Sequence, residues 1–479
     1  LKVIRVSDSM QAPSNRSARL SWRTSAIPPF LRKMSRNPSS PQNRGEKLAS
    51  SCINRGMTKV GTMIPPRAPK MMFMTAPIAV RARLTLYYHL ERICGRRLVT
   101  LYNLANGLMF CFLAGAMITI SATAVGVLLK FPMPALSDTL PNSPGWCAAV
   151  LAVGFVIAAV AAKGYRFVAW VADLAAPWMV FVFLGFGLVG LKEFLSVTGL
   201  PFKTGADAWR LFSEIIWKGG NPLPGQIKFT FWHVVFFAWF CNMAVHIGMS
   251  DLSLLRFARK SWYAVAAAAG MYLGHFMAWI CAAVLYALQL HLDKTNVTPL
   301  PGPMASTACG LAGLLCVVIA GWTTANPTIY RAGLAFQAVM PQASRVKVTF
   351  VTGMLAAAAG MFPAVTMKLL NFVALYGLLL MPMGAVLFMD FWALPRLGLR
   401  SMLAAETGLT WNGAAAWTWF GTLAACLFLV KFAGIPVFFV GLPGWFIASA
   451  AYVLLSRRQQ GKNAQRSWLD GQRACGENP

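Results

Sequence analysis

Ten stretches of this chain are apolar for about the 20 residues needed to cross a bilayer, and short polar connections separate them. They run over approximately 104–130, 145–163, 171–191, 229–249, 261–288, 304–338, 347–363, 369–391, 413–433 and 435–456. This succession leaves few folds open. Lipid cannot hydrogen-bond a backbone, so each such segment must satisfy its own amides and carbonyls, as a helix does. Composition agrees: 57% of the 479 residues are hydrophobic and 12% are charged, against about 25% charged in a soluble domain. The expectation is an all-α, polytopic membrane protein. It comprises a transmembrane domain over 81–456 and a C-terminal tail over 457–479. Ahead of these, 1–80 is a basic segment rich in Ser, Pro and Arg, expected to be disordered or mistranslated.

The formal net charge of +29 does not point to nucleic acid. Residues 1–100 carry 19 Lys or Arg against 3 acids, so they supply 19 − 3 = +16 of it. No nucleic-acid-binding motif accompanies these charges, and the lipid bilayer is the simpler partner. Arg92, Arg96 and Arg97 precede the first stretch. Lys163 and Arg166 follow the second, and Arg256, Arg259 and Lys260 the fourth. Arg331, Arg345 and Lys347 surround the end of the sixth, Arg396 and Arg400 follow the eighth, and Arg457 and Arg458 the tenth. These are alternate connections, so the rule that basic loops stay inside predicts both termini cytoplasmic in an inner, plasma-type membrane. The connection over 192–228 mixes signs and has room for a short surface helix. The ten cysteines include no C-x-x-C pair, and Cys111, Cys241, Cys281, Cys309, Cys316 and Cys426 are among those in apolar stretches, where Cys behaves as a small buried residue.

One run breaks the apolar pattern: Ala320-Gly-Trp-Thr-Thr-Ala-Asn-Pro-Thr-Ile-Tyr330. Polar groups at such depth face a cavity or a partner helix, and they mark ion or substrate paths. Thr323 and Thr324 offer hydroxyl oxygens, and Ala320 offers a carbonyl if the helix loosens. Pro327 has no amide hydrogen to give the Thr323 carbonyl. The competing expectation is that both hydroxyls bond back to their own helix. A second interruption, Gly248 with Ser250 and Asp251, suggests a broken helix whose second half Ser250 caps, or simply the end of a span. His246 and His275 are candidates for proton relay or for satisfied core histidines, His233 for an interfacial one. Asp173 is read as the acid that opens a helix.

The segment Trp322-Thr-Thr-Ala-Asn-Pro-Thr-Ile-Tyr-Arg-Ala-Gly-Leu-Ala-Phe336 resembles the eighth helix of the nucleobase–cation symporter family, which includes cytosine permeases and hydantoin transporters. Phe237-Ala-Trp-Phe-Cys-Asn-Met-Ala-Val-His-Ile-Gly-Met-Ser-Asp251, followed by Leu254-Leu-Arg-Phe257, resembles its sixth. The likeness covers roughly 85–456. It implies the inverted-repeat fold of leucine-type transporters with twelve helices, of which about ten are visible here; 104–130 stands as the third.

By that resemblance, cation-coupled uptake of a nucleobase or related heterocycle is expected, of cytosine, purine, hydantoin or allantoin type, with sodium or proton as the coupling ion and no other cofactor. Ala320, Thr323 and Thr324 fall on sodium positions. Trp239 or Phe240 would supply the aromatic wall, and stacking on such a ring contributes about 1–3 kcal/mol per base. Asn242, Asn326 and Thr328 would bond the heterocycle edge, since an amide both donates and accepts. The third helix of the family often carries a glutamine, absent from Phe110–Ser121. The alternatives are an amino-acid permease of the same fold, or an inactive truncated transporter. An enzyme is not expected: neither H-E-x-x-H nor G-x-S-x-G is present.

Overall fold

The computed structural model describes residues 72–217, 228, 230, 232–233, 248–364 and 369–474. It is all-helical over those residues, with no strand among them. Two short helices come first, α1 (Met72–Ala82) and α2 (Leu86–Cys94). Then come α3 (Arg96–Leu129), α4 (Pro144–Lys163) and α5 (Tyr165–Thr198). The mixed-charge connection carries the expected surface helix, α6 (Gly205–Arg210), which runs on into a π-turn over Leu211–Ile216. A single turn, α7 (Leu252–Leu255), precedes α8 (Tyr263–Leu292), α9 (Pro301–Val339) and α10 (Arg345–Gly360). The chain closes with α11 (Leu369–Trp392), α12 (Leu403–Thr407), α13 (Gly413–Lys431) and α14 (Val437–Ala474).

Seven of the described helices are long and apolar enough to cross a membrane: α3, α4, α5, α8, α9, α13 and the Phe439–Gly461 part of α14. Large apolar side chains project outward from them, among them Phe181, Leu188, Leu273, Phe276 and Trp417. A surface of that kind is stable in lipid and a liability in water. Together these define a helical, membrane-embedded protein. The stretches at 347–363 and 369–391 form α10, only 16 residues and about 24 Å long, and α11. The stretch at 229–249 lies almost wholly outside the described residues.

Boundaries differ from the apolar windows because helices continue past the lipid-compatible part. α3 starts at Arg96, and α5 starts at Tyr165 behind a left-handed Gly164. Asp173 therefore sits exposed inside a helix instead of opening one. The tail over 457–474 continues α14, with no proline to stop it. α9 is two helices joined at Cys309 and Gly310. Gly310 takes φ +53° and ψ −133°, and the bend folds Ala305 back against Gly313.

The centre is a unit of α3, α4, α9 and α10. Gly107 of α3 meets Phe336, whereas Ser121 donates to the Val318 carbonyl at 3.0 Å, so α3 and α9 are antiparallel. Cys111 faces the Thr352 carbonyl at 3.8 Å and Thr119 donates to the Gly360 carbonyl at 2.5 Å, so α3 and α10 are parallel. Gly154 packs on Ala357 and Gly353 on Ala158, so α4 and α10 are antiparallel. Small residues let these backbones approach, which is the packing available where lipid removes the hydrophobic drive between helices. α5 and α8 lie parallel, through Gly187 on Cys281 and Gly190 on Leu285.

Contacts also gather the basic loops at the Arg96 end. Arg83 donates to the Arg256 and Ala258 carbonyls at 2.6 and 2.7 Å. The Arg97 amide donates to the Thr410 carbonyl at 2.9 Å. Asn412 caps α13 and also donates to the Ile93 carbonyl at 2.8 Å. Gln460 brackets Arg400, accepting from its amide at 2.9 Å and donating to its carbonyl at 3.0 Å. Beside them the buried Asp390 carboxylate accepts from Tyr452 and from the Met402 amide, both at 2.9 Å.

Candidate functional site

The polar run of α9 is helical throughout. Thr323 and Thr324 each donate to the Ala320 carbonyl at 3.1 Å, and Thr328 donates to the Thr324 carbonyl at 2.7 Å. The three expected cation ligands therefore do come together. However, the Ala320 carbonyl is not freed by a loosened helix: it stays within unbroken helix and accepts from both hydroxyls as well. This is the back-bonded arrangement that Thr residues adopt inside helices. Thr324 faces outward, and Thr323 also lies 3.6 Å from the Met179 sulfur of α5.

Asn326 behaves differently. It is buried between Ala325 and Ile329, and neither its amide nitrogen nor its amide oxygen has a partner. Leaving such a group unmet costs about 1–3 kcal/mol, so each one in a folded interior asks for an explanation, such as a water or an ion. Trp322, one turn earlier on the same face, likewise has a buried, unpartnered indole nitrogen. Thr328 is buried too, with its hydroxyl committed to its own helix. Trp239, Phe240, Asn242 and His246 lie outside the described residues, so the aromatic wall is not placed. His275 is exposed on α8 beside Trp279, with ring centroids 6.2 Å apart, and is not a core histidine.

The interruption at 248–251 is a turn in which Met249 takes φ +58°. It does not lead into a capped half-helix: α7 is one turn long, Asp251 occupies its N-cap position, and no side chain caps it. The Asp251 carboxylate instead meets Arg331, two turns before the end of α9, 2.7 Å away, with both side chains largely buried. Around this pair, Tyr87 of α2 donates to the Arg331 carbonyl at 2.9 Å and Arg256 donates to the Tyr330 hydroxyl at 3.3 Å. Phe257 stacks on Tyr165 with centroids 4.3 Å apart. The polar run thus ends in a lock that ties α9 to α2, α5 and the 248–258 turn.

Sequence reasoning missed several buried polar groups. Tyr102, Asn103 and Asn106 of α3 are buried, with the Tyr102 hydroxyl, the Asn103 amide oxygen and both amide atoms of Asn106 unpartnered. His89 of α2 is buried with both ring nitrogens unpartnered; desolvation, and then the Arg92 charge, lowers its pKa to about 4. The Asn103-Leu-Ala-Asn106 spacing was readable, but the apolar window began at 104 and divided it. A cavity of about 550 Å³ lies between α3, α4 and α9, with Val318 and Trp322 in its wall and none of the expected site residues. Among the described residues no group of His, Cys, Asp and Glu could hold a metal ion.

No family model matches the sequence, and neither does any curated protein. The class that the structure defines is the helical, membrane-embedded one.

Proposed function

We propose that this chain is a secondary transporter that couples a cation gradient to uptake of a nucleobase or related heterocycle. The observation that carries the reading is the relation between two helix pairs. α3 runs opposite to α9 and packs on it, and α4 runs opposite to α10 and packs on it, as the paired helices of two inverted repeats would. Inverted repeats built this way place a binding site at their interface near the bilayer midplane. The unmet Asn326 amide and the Ala320–Thr323–Thr324 oxygens lie along that interface helix. The basic loops gathered at the Arg96 end support placing that end in the cytoplasm of an inner-membrane protein.

In this reading the unused amide of Asn326 pairs with the donor and acceptor edge of the heterocycle. A sodium ion would take lone pairs from the Thr323 and Thr324 hydroxyls and the Ala320 carbonyl. The two hydroxyl protons must then turn away from that carbonyl, which makes ion entry and hydroxyl rotation a single event.

The test is uptake into liposomes that contain the full chain, under imposed sodium or proton gradients. Labelled cytosine would compete with uracil, allantoin and amino acids. Heterocycle uptake that Asn326→Ala weakens about tenfold or more, with weaker cation dependence in Thr324→Ala, is the expected result. Amino-acid uptake alone would replace the heterocycle reading, and unaltered cation dependence in Thr324→Ala would remove the ion site.

A further inference from the structure

The cavity between α3, α4 and α9 is lined by none of the residues assigned above to the heterocycle or the cation. Leu129, Phe131, Ala152, Val156 and Val318 contribute to its wall, with Trp322, and among the described residues no charged side chain lines it. A heterocycle there would find at most the Trp322 indole nitrogen for its polar edge and no side-chain acceptor, too little to offset its desolvation. Its mouth is apolar and faces outward: Leu129 is 65% exposed and Val156 is 46% exposed, and Phe155 flanks them. In a bilayer that mouth opens sideways onto acyl chains.

The rim carries a second feature. Lys130 sits between two lining residues, in the left-handed region at φ 55° and ψ 39°. A lysine held there is uncommon, and the bend reverses the chain so that Leu129 and Phe131 both reach the cavity. The reversal is pinned: Met133 and Phe131 close over Gly126, and Ser143 donates to the Pro132 carbonyl at 2.7 Å while capping α4 through the Trp146 amide. Lys130 itself is exposed and pairs with no carboxylate among the described residues. It ends a helix whose other end carries Arg96 and Arg97, so it lies at a membrane surface.

We propose that this cavity seats one acyl chain of an anionic phospholipid, with the lipid phosphate paired to Lys130. Lipid tails are as apolar as the wall, so exchanging bulk lipid for bound lipid contributes little by itself. Discrimination must then come from the headgroup, and one surface lysine corresponds to about a fivefold preference for an anionic lipid. The inference needs only the membrane-embedded class and is independent of what the protein transports.

Native mass spectrometry of the full chain, purified and delipidated in detergent, tests it. Phosphatidylglycerol and phosphatidylcholine with identical acyl chains are the probes. One phosphatidylglycerol retained per chain, about fivefold over phosphatidylcholine, is expected. Lys130→Gln should bring the ratio close to one, whereas Lys431→Gln, the same change at the end of α13, should leave it intact. Ala152→Trp should lower retention of both lipids by filling the cavity, and Ala152→Leu replaces it if circular dichroism shows lost helix. Equal retention of the two lipids by the parent chain, a preference that survives Lys130→Gln, or retention undiminished by filling the cavity would each overturn the assignment.

Discussion

α3 and α5 are both 34-residue helices of the same apolar character, yet they occupy opposite environments. Over the central apolar stretch, 56% of α3 is buried inside the protein and 22% of α5 is. Hydropathy does not separate them; side-chain size and hydroxyl placement do. In α3, Gly107 admits the Phe336 ring, Gly115 admits the α10 backbone, and Thr119, Ser121 and Thr123 each donate to a carbonyl. α5 turns Trp170, Leu174, Phe181 and Leu188 outward. In lipid a large apolar side chain is content on the outside, so the interior is marked by small and polar residues. The four-helix centre and the α5–α8 rim should therefore respond differently to the same kind of substitution.

The sharpest contrast concerns ion pairs. Arg331 and Asp251 anchor the centre from largely buried positions, while Arg210 and Glu214 at the rim, 3.4 Å apart, are 76% and 65% exposed. Removing one member of a buried pair leaves the other uncompensated and costs about 3–5 kcal/mol. Arg331→Ala should therefore lower stability by about 3 kcal/mol or more, read from thermal or denaturant unfolding in detergent. Glu214→Gln should change it by less than about 1 kcal/mol. Similar costs for the two would erase the distinction between centre and rim.

Acid should act next. His89 is neutral in the folded chain with a pKa of about 4, below its ordinary value of 6.5, because burial and the Arg92 charge disfavour the protonated ring. The unfolded chain binds the additional proton first. The stabilisation is therefore complete above pH 6.5 and is lost as pH falls from 6.5 toward 4. A shift of this size corresponds to roughly 3 kcal/mol at most. His89→Phe, which keeps an aromatic ring beside Phe391, should flatten that part of the stability profile. An unchanged slope would mean that the His89 ring is hydrated.

How far these features could be read from sequence depends on their range. Apolar length located the helices, and the Ala320–Tyr330 run stood out because Thr, Asn and Pro are costly at that depth. Pairings across the fold carried no such signal. Asp251 and Arg331 are 80 positions apart, and nothing in either neighbourhood announces the other. The break at Cys309–Gly310 was hidden because a lone glycine in an apolar helix is ordinary, and only its positive φ reveals the bend. The expected cation ligands do share one carbonyl, yet residue types alone could not decide between back-bonding and a free hydroxyl. That outcome depends on whether a second helix supplies a better acceptor.

Glycine substitutions probe the comparison at finer scale. A Cβ on Gly115 would sit 2.6 Å from the Ala356 carbonyl and 3.1 Å from the Gly360 amide, both backbone atoms of α10 that cannot step aside. Gly115→Ala should push α3 from α10 and destabilise by about 1–3 kcal/mol. Unfolding unaffected by that change would show that the helices part more easily than their contacts imply.

Gly274 of α8 is the matching rim position, and it should give the smallest effect. Among the described residues nothing lies within 4 Å of a Cβ placed there, and the same holds at Gly270 one turn earlier. An alanine would add no clash. It would also restrict the unfolded chain and favour the helix, by up to about 1 kcal/mol in water. Much of that gain is lost in a micelle, where a backbone without water already prefers to be helical. Gly274→Ala should therefore leave the unfolding midpoint unchanged or raise it slightly. The double change with Gly270→Ala should depart from additivity only by the small contact between two methyls one turn apart. A marked loss of stability in either variant would place another helix against this face of α8. That face would then belong to the packed interior, and small residues would mark buried surface on both sides of the comparison.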